Sequence, residues 1–97
     1  DGRDILLHLP IAPWEAALGA NIQVPTLGGV VSLKIPEGSQ TGKRMRLKGR
    51  GLPGDPPGDQ HVILEIVTPP ADTAEAKALY QRMADLLAFD PRARLGG

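Results

Sequence analysis

The sequence predicts a mainly β fold, a small antiparallel β-sandwich or partly open barrel carrying one short helix and a C-terminal amphipathic helix. Three observations lead there. Apolar residues recur at every second position in about five separate segments, the period of strands with one buried face. Glycine and proline, 12 and 10 of the 97 residues, gather between those segments as turn and loop punctuation. Near the C-terminus the apolar spacing changes to three and four residues, the period of a helix.

A first strand is predicted over Arg3 to Leu9, with Ile5, Leu7 and Leu9 on one face and Asp4, Leu6 and His8 on the other, and Pro10 is expected to end it. In APWEAALG, proline stands at a first helical position, Glu15 in the first turn and Gly19 where a helix would stop, so Pro13 to Leu18 reads as one short helix. Trp14, Ala17 and Leu18 lie about one turn apart and are expected to face the sheet together. The rest of the chain is organised around Asn21 to Gly51. Ile22 and Val24 alternate with polar neighbours, Gly28 and Gly29 tolerate the positive φ of a tight turn, and Val31, Leu33 and Ile35 resume the period of two, which makes a hairpin. Pro36 cannot donate to a sheet ladder, so the second hairpin strand stops there and PEGSQTG crosses the end of the sheet. In KRMRLK, Met45 and Leu47 fall on one face and Arg44, Arg46 and Lys48 on the other.

LPGDPPGDQ is a loop. Gln60 to Val67 is the last strand, with Val62, Leu64 and Ile66 inward, and Thr68, Pro69 and Pro70 form a stiff extended linker. Asp72 followed three residues later by Glu75 resembles a capping box, and Ala76, Leu79, Tyr80, Met83, Leu86 and Leu87 place a helix from about Thr73 to Ala88, barred from continuing by Pro91. At 1.5 Å per residue it would be about 24 Å long.

Ninety-seven residues make one domain with a modest core, and 41% hydrophobic with 23% charged residues is the composition of a globular protein. One Trp, one Tyr and one Phe leave the core to Leu, Ile and Val. Without cysteine there is neither a disulfide nor a thiolate metal site, which suits a reducing cytosol. No apolar run approaches the ~20 residues of a membrane helix, so no membrane partner is expected. A chain opening DGRD without an initiator Met is expected to be a piece of a longer protein. Eleven basic and eleven acidic residues cancel, which argues against nucleic-acid binding by overall field. Even so, Lys43, Arg44, Arg46, Lys48 and Arg50 place five of the eleven positive charges within eight residues.

Catalysis has little to stand on: the only histidines, His8 and His61, sit on predicted strands, and Ser32 and Ser39 have no motif around them. No catalytic residue, cofactor or metal site is expected, and both histidines read as half-exposed strand residues. The basic strand could track phosphates or steady an acidic partner, or it could be the solvated outer face of a half-buried strand. The solvated face is preferred, because no aromatic interleaves the charges for base stacking. The apolar stripe of the terminal helix could cross the Pro-Pro linker to pack on another chain, or fold back on its own sheet; the residues leave both open. A sheet edge could accept an extended client by strand addition, though an edge covered by loop or charge is the preferred reading.

The run AALGANIQVPTLGGVVSLKIPEGSQTGKRMRLKGRGLP, followed by GDQHVILEIVTPP, resembles the second of the two C-terminal β domains of DnaJ-class co-chaperones. The tail FDPRARLGG is similar to that of the curved-DNA-binding members of that class. The resemblance implies a β domain over residues 1–70 and a dimerisation helix with tail over 71–97. It tips the terminal helix toward a homodimer, with Leu79, Tyr80, Met83, Leu86 and Leu87 at a twofold interface and Phe89 and the following DPR adding a small contact. It implies unfolded client polypeptides held at two points for a DnaK-type chaperone, which would be engaged through a J domain this sequence lacks. The main client groove of such relatives belongs to the first C-terminal domain, so any pocket here is expected to be secondary. The sequence has no His-Pro-Asp tripeptide, no Gly/Phe-rich linker and no zinc-binding cysteines, so it is expected neither to activate a DnaK-type ATPase nor to bind ATP or metal. The alternative is nucleoid-associated, sequence-independent binding of curved DNA through Lys43, Arg44, Arg46, Lys48 and Arg50. Either reading places the protein in the cytoplasm, the second at the nucleoid.

Overall fold

Alternation of apolar side chains lets each strand bury one face, and here five strands do so from two small sheets. The computed structural model describes residues 2–93 and 95; Asp1, Arg94, Gly96 and Gly97, part of the DGRD and FDPRARLGG runs above, lie outside the described residues. In chain order the elements are β1 (Ile5–Ile11), α1 (Pro13–Leu18), β2 (Ala20–Thr26), β3 (Gly29–Ile35), β4 (Arg44–Leu47), β5 (Gln60–Ile66) and α2 (Ala74–Leu86). One sheet has the order β1-β5-β4, and β2 and β3 form the other as an antiparallel hairpin. The class is mainly β as expected, a sandwich-like pair of sheets that do not close into a barrel among the described residues.

The core follows the alternation. Leu9 and Ile11 of β1, Val24 of β2, Leu33 and Ile35 of β3, and Val62 and Leu64 of β5 are buried together with Ala16 of α1, and Leu7, Ile22, Val31, Met45, Leu47 and Ile66 pack against them. These are the inward sets that period two singles out. Thr26 pairs with Gly29, which leaves Leu27 and Gly28 as the hairpin turn, and Gly29 takes the positive φ of +117° that a side chain would resist. Among the described residues two polar side chains are buried with the apolar ones, and each has a partner. Gln60 Nε2 donates to the Pro25 carbonyl across the two sheets at 3.1 Å, and Ser39 Oγ donates to the Pro36 carbonyl at 2.6 Å.

Four expectations need correction. Pro10 does not end β1 but lies inside it. The Ile5 amide donates to the Asp59 carbonyl and the Val67 amide to the Ile11 carbonyl, so odd-numbered residues of β1 turn their main chain toward β5. Pro10 turns its nitrogen to the outer edge, where no ladder bond is lost. Second, β1 and β5, the first and last strands, pair in parallel, from Ile5 opposite Gln60 to Ile11 opposite Ile66. Third, the terminal helix starts one residue later than the Asp72 box implies: Thr73 is the cap, its Oγ1 accepting from the Ala76 amide at 3.0 Å, and the helix closes at Leu86 with the Leu87 amide on the Met83 carbonyl. Fourth, Trp14, Ala17 and Leu18 do not face the sheet; the buried residue of α1 is Ala16.

The loop between β4 and β5 closes on the start of the chain. The Leu52 amide donates to the Arg3 carbonyl at 2.7 Å, the Gly51 amide to Gly58 at 2.9 Å and the Gly58 amide to Leu52 at 3.0 Å. Gly58 is buried, and a Cβ there would overlap the Arg3 carbonyl. Overpacking against fixed backbone costs about 1–3 kcal/mol or more. Gly58→Ala is therefore expected to lower the thermal midpoint by roughly 4–8 °C per kcal/mol lost. Gly2→Ala, where a Cβ meets nothing within 4 Å, should leave it unchanged; equal midpoints in calorimetry would remove the close approach as the reason for glycine.

Candidate functional site

The short helix α1 builds the first wall of the site. Its N-terminus is set by Pro13 at the first helical position and by Glu15, whose Oε1 accepts from the Ala12 amide at 2.8 Å. Its C-terminus is held by main-chain amides. Gly19 donates to the Glu15 carbonyl at 3.0 Å, Gly38 to Ala17 at 3.2 Å and Ser39 to Ala16 at 3.0 Å, so the loop after β3 satisfies carbonyls that a helix end otherwise leaves open. With Ala16 pressed into the core by this docking, the opposite face points out: Trp14 is 57% exposed and Leu18 73%.

The second wall is α2. It has no buried residue, and the side chains of Leu79, Leu86 and Leu87 are each about two-thirds exposed, at 68%, 67% and 64%. The Pro-Pro segment carries it away from the sheets, and the Tyr80 hydroxyl donates to the Pro69 carbonyl, tying the helix to its own linker. Between the walls lies a cleft of about 600 Å³, lined by Pro13, Trp14, Ala17 and Leu18 on one side, by Pro69 and Pro70, and by Ala76, Leu79, Tyr80, Met83 and Leu87 on the other. Among the described residues no charged side chain lines it. The radius of gyration of 17.1 Å exceeds the roughly 12.5 Å of a compact chain of this length. Four of the five helix residues singled out in sequence, Leu79, Tyr80, Met83 and Leu87, thus share one cleft, while Leu86 is exposed outside its lining. Sequence reading missed the contribution of Trp14 and Leu18. Their spacing of four places them on one helix face, but it does not say which side of α1 turns inward.

The cationic strand lies elsewhere. β4 is an outer strand of its sheet, pairing with β5 as Arg44 opposite Ile63 and Arg46 opposite His61. Arg44 and Arg46 project from the solvent face as expected, and Lys43, Lys48 and Arg50 are exposed. Carboxylates interrupt that face. Arg46 Nε lies 3.5 Å from Asp59 Oδ2, His61 Nε2 lies 3.1 Å from Asp4 Oδ2 and His8 Nδ1 lies 2.6 Å from Glu65 Oε1. His61 Nδ1 has no hydrogen-bond partner among the described residues, and Nε2 is the ring nitrogen that donates, because the Asp4 carboxylate it faces can only accept. Asp4 also accepts the Asp59 amide on Oδ1 at 2.8 Å, while Asp59 Oδ1 accepts the Gly49 amide at 2.9 Å. Among the described residues no group of His, Asp and Glu is arranged to hold a metal ion, and no helix is long and apolar enough to cross a membrane.

Comparison with known proteins places this architecture. Residues 1–69 match the DnaJ C terminal domain. The chain belongs to the DnaJ C-terminal domain family. Among curated relatives it is 56% identical, over all 97 of its residues, to a curved DNA-binding protein of Coxiella burnetii, of which it covers 31%. It is 48% identical over 97% of its length to a curved DNA-binding protein of Salmonella paratyphi B, and 46% over 94% to that of Serratia proteamaculans, covering 31% and 30% of those proteins. The chain thus spans under a third of the length of these relatives. The DnaJ C-terminal match stops at residue 69, just before Pro70, so the β domain lies within it and α2 beyond it.

Hydrogen bonds to the Asp4 carboxylate, first from the Asp59 amide and then from His61, hold its pKa below the ordinary 3.8. A carboxyl more acidic folded than unfolded stabilises the fold fully above 3.8, and that contribution is lost as pH falls through its lower folded value. In urea titrations between pH 6 and pH 2, Asp4→Asn is expected to be less stable than wild type near neutrality and to lose less on acidification. Parallel pH profiles for the two proteins would detach acid sensitivity from Asp4.

Proposed function

We propose that this chain is the dimerising C-terminal part of a DnaJ-type co-chaperone, whose role is to set the separation of two client-holding arms. Family membership supports the co-chaperone setting. The observation that carries the dimer is α2: a helix with an apolar stripe and no buried residue, facing an equally apolar and exposed face of α1 across an open cleft. Side chains such as Leu79 and Leu87 each gain about 1.5–3 kcal/mol when removed from water, and a second copy offers the same surface, as twofold association requires. The interface consists of Leu79, Tyr80, Met83, Leu86 and Leu87, with Trp14 and Leu18 as the partner wall. Pairing two chains puts two client sites on one particle, so a non-native polypeptide released from one is recaptured at a high effective concentration. Client polypeptides and a DnaK-type chaperone are then engaged by parts of the protein outside this chain, in the cytoplasm.

The relatives' shared name favours a second reading, binding of curved DNA, and the cations from Lys43 to Arg50 are where it would act. It is the weaker one. Net charge is zero, Arg46 is tied to Asp59, and the same face carries Asp4 and Glu65.

Two measurements test the dimer. Solution mass by sedimentation over a hundredfold concentration range is expected near twice 10.3 kDa, falling on dilution. The emission of Trp14, the sole tryptophan, should shift to shorter wavelength in step with the mass. Leu86→Asp would bury an unpaired carboxylate at several kcal/mol, which weakens association at least a hundredfold while the strand signal in circular dichroism is retained. A monomer at every concentration, or an association indifferent to Leu86→Asp, would overturn the interface.

A further inference from the structure

We propose that the free edge of β4 takes up an extended acidic peptide as an added strand, a binding site separate from the dimer cleft and independent of the dimer reading. Among the described residues β4 pairs with β5 on one side only. The Leu64 amide donates to the Lys43 carbonyl, so Lys43, and with it Met45 and Leu47, turn their main chain toward β5. Strand alternation then points the amides and carbonyls of Arg44 and Arg46 outward, and both residues are exposed. An incoming strand finds a row of main-chain donors and acceptors there.

Charge selects the occupant. Arg46 is partnered by Asp59, whereas Lys43, Arg44, Lys48 and Arg50 make no ion pair with the described residues. A second copy of β4 laid on this edge would oppose cation to cation, which disfavours pairing. A strand with carboxylates at alternate positions matches the same ~6.6 Å repeat and puts one beside Arg44, while Lys43 and Lys48 flank the two ends of β4. Its intervening side chains fall on the other face, over the half-buried Met45 and Leu47. The edge therefore fits a peptide that alternates acidic and apolar residues. A duplex could use the cations but not the outward amides, and with no tryptophan, tyrosine or phenylalanine between Lys43 and Arg50 there is no stacking surface for unpaired bases.

The test uses the whole 97-residue chain and a fluorescent octapeptide alternating glutamate and valine, followed by anisotropy at low salt. Binding is expected, with protection of the Arg44 and Arg46 amides in hydrogen exchange. Methylating the peptide's alternate main-chain nitrogens, which keeps its charge but removes its strand donors, should weaken binding at least tenfold; replacing its glutamates with lysines should abolish it. Arg44→Glu with Lys48→Glu should also cost at least tenfold, the fold being checked by circular dichroism. The methylated peptide needs no altered protein, so the proposal stays testable if that variant unfolds. Absence of binding, equal affinity for the methylated peptide, or undiminished peptide binding by a folded Arg44→Glu, Lys48→Glu variant would each overturn the assignment.

Discussion

Three main-chain amides, those of Gly19, Gly38 and Ser39, hold the C-terminal carbonyls of α1, and the shape of the molecule depends on that docking. A helix of six residues is far too short to persist on propensity alone. It exists here because Pro13 and Glu15 set its start, the loop after β3 closes its end and Ala16 seats it on the core. Once so fixed, it can turn only one face to the sheets. The small residue goes in, and Trp14 and Leu18 are left outside at the mouth of a cleft that α2 completes.

The two surfaces of the protein are thereby kept apart and chemically distinct. The cleft is apolar, walled by two helices and a proline pair, and has no charged lining among the described residues. The outer face of the β1-β5-β4 sheet is ionic, with three cation or histidine contacts to carboxylates across neighbouring strands. Such half-exposed pairs contribute little stability individually. Their consequence is electrostatic: they neutralise the middle of the sheet and leave uncompensated positive charge at the β4 edge. A chain with zero net charge thus still presents a local cationic border.

Much of the strand architecture was legible beforehand because alternation is a local property. Ile22 with Val24, Val31 with Leu33 and Ile35, and Val62 with Leu64 face the core as their spacing requires, and Pro36 ends β3 because it has no amide for a ladder. The cationic face of β4 was legible for the same reason. Pro10 was misjudged because a proline's effect depends on whether its nitrogen faces a neighbour, and that is decided by the parallel partner β5, some fifty residues away in sequence. The carboxylates beside Arg46 and His61 were hidden likewise, since Asp59 and Asp4 reach them only through pairing.

By itself the sequence determined where strands and helices form, which side chains share a face and where the charge is concentrated, all consequences of spacing and of glycine and proline chemistry within a few residues. Only the tertiary structure decided which face of each element turns inward. For α1 the choice went to Ala16, because the Gly38 and Ser39 amides that follow β3 dock on the carbonyls of Ala17 and Ala16 and fix which side of the helix meets the core. For α2 no face is buried at all, because the Pro69-Pro70 segment and its bond to Tyr80 hold the helix off the sheets. Spacing defines an apolar stripe; what covers it is set by contacts distant in sequence, and for α2 none of those contacts lies in its own core.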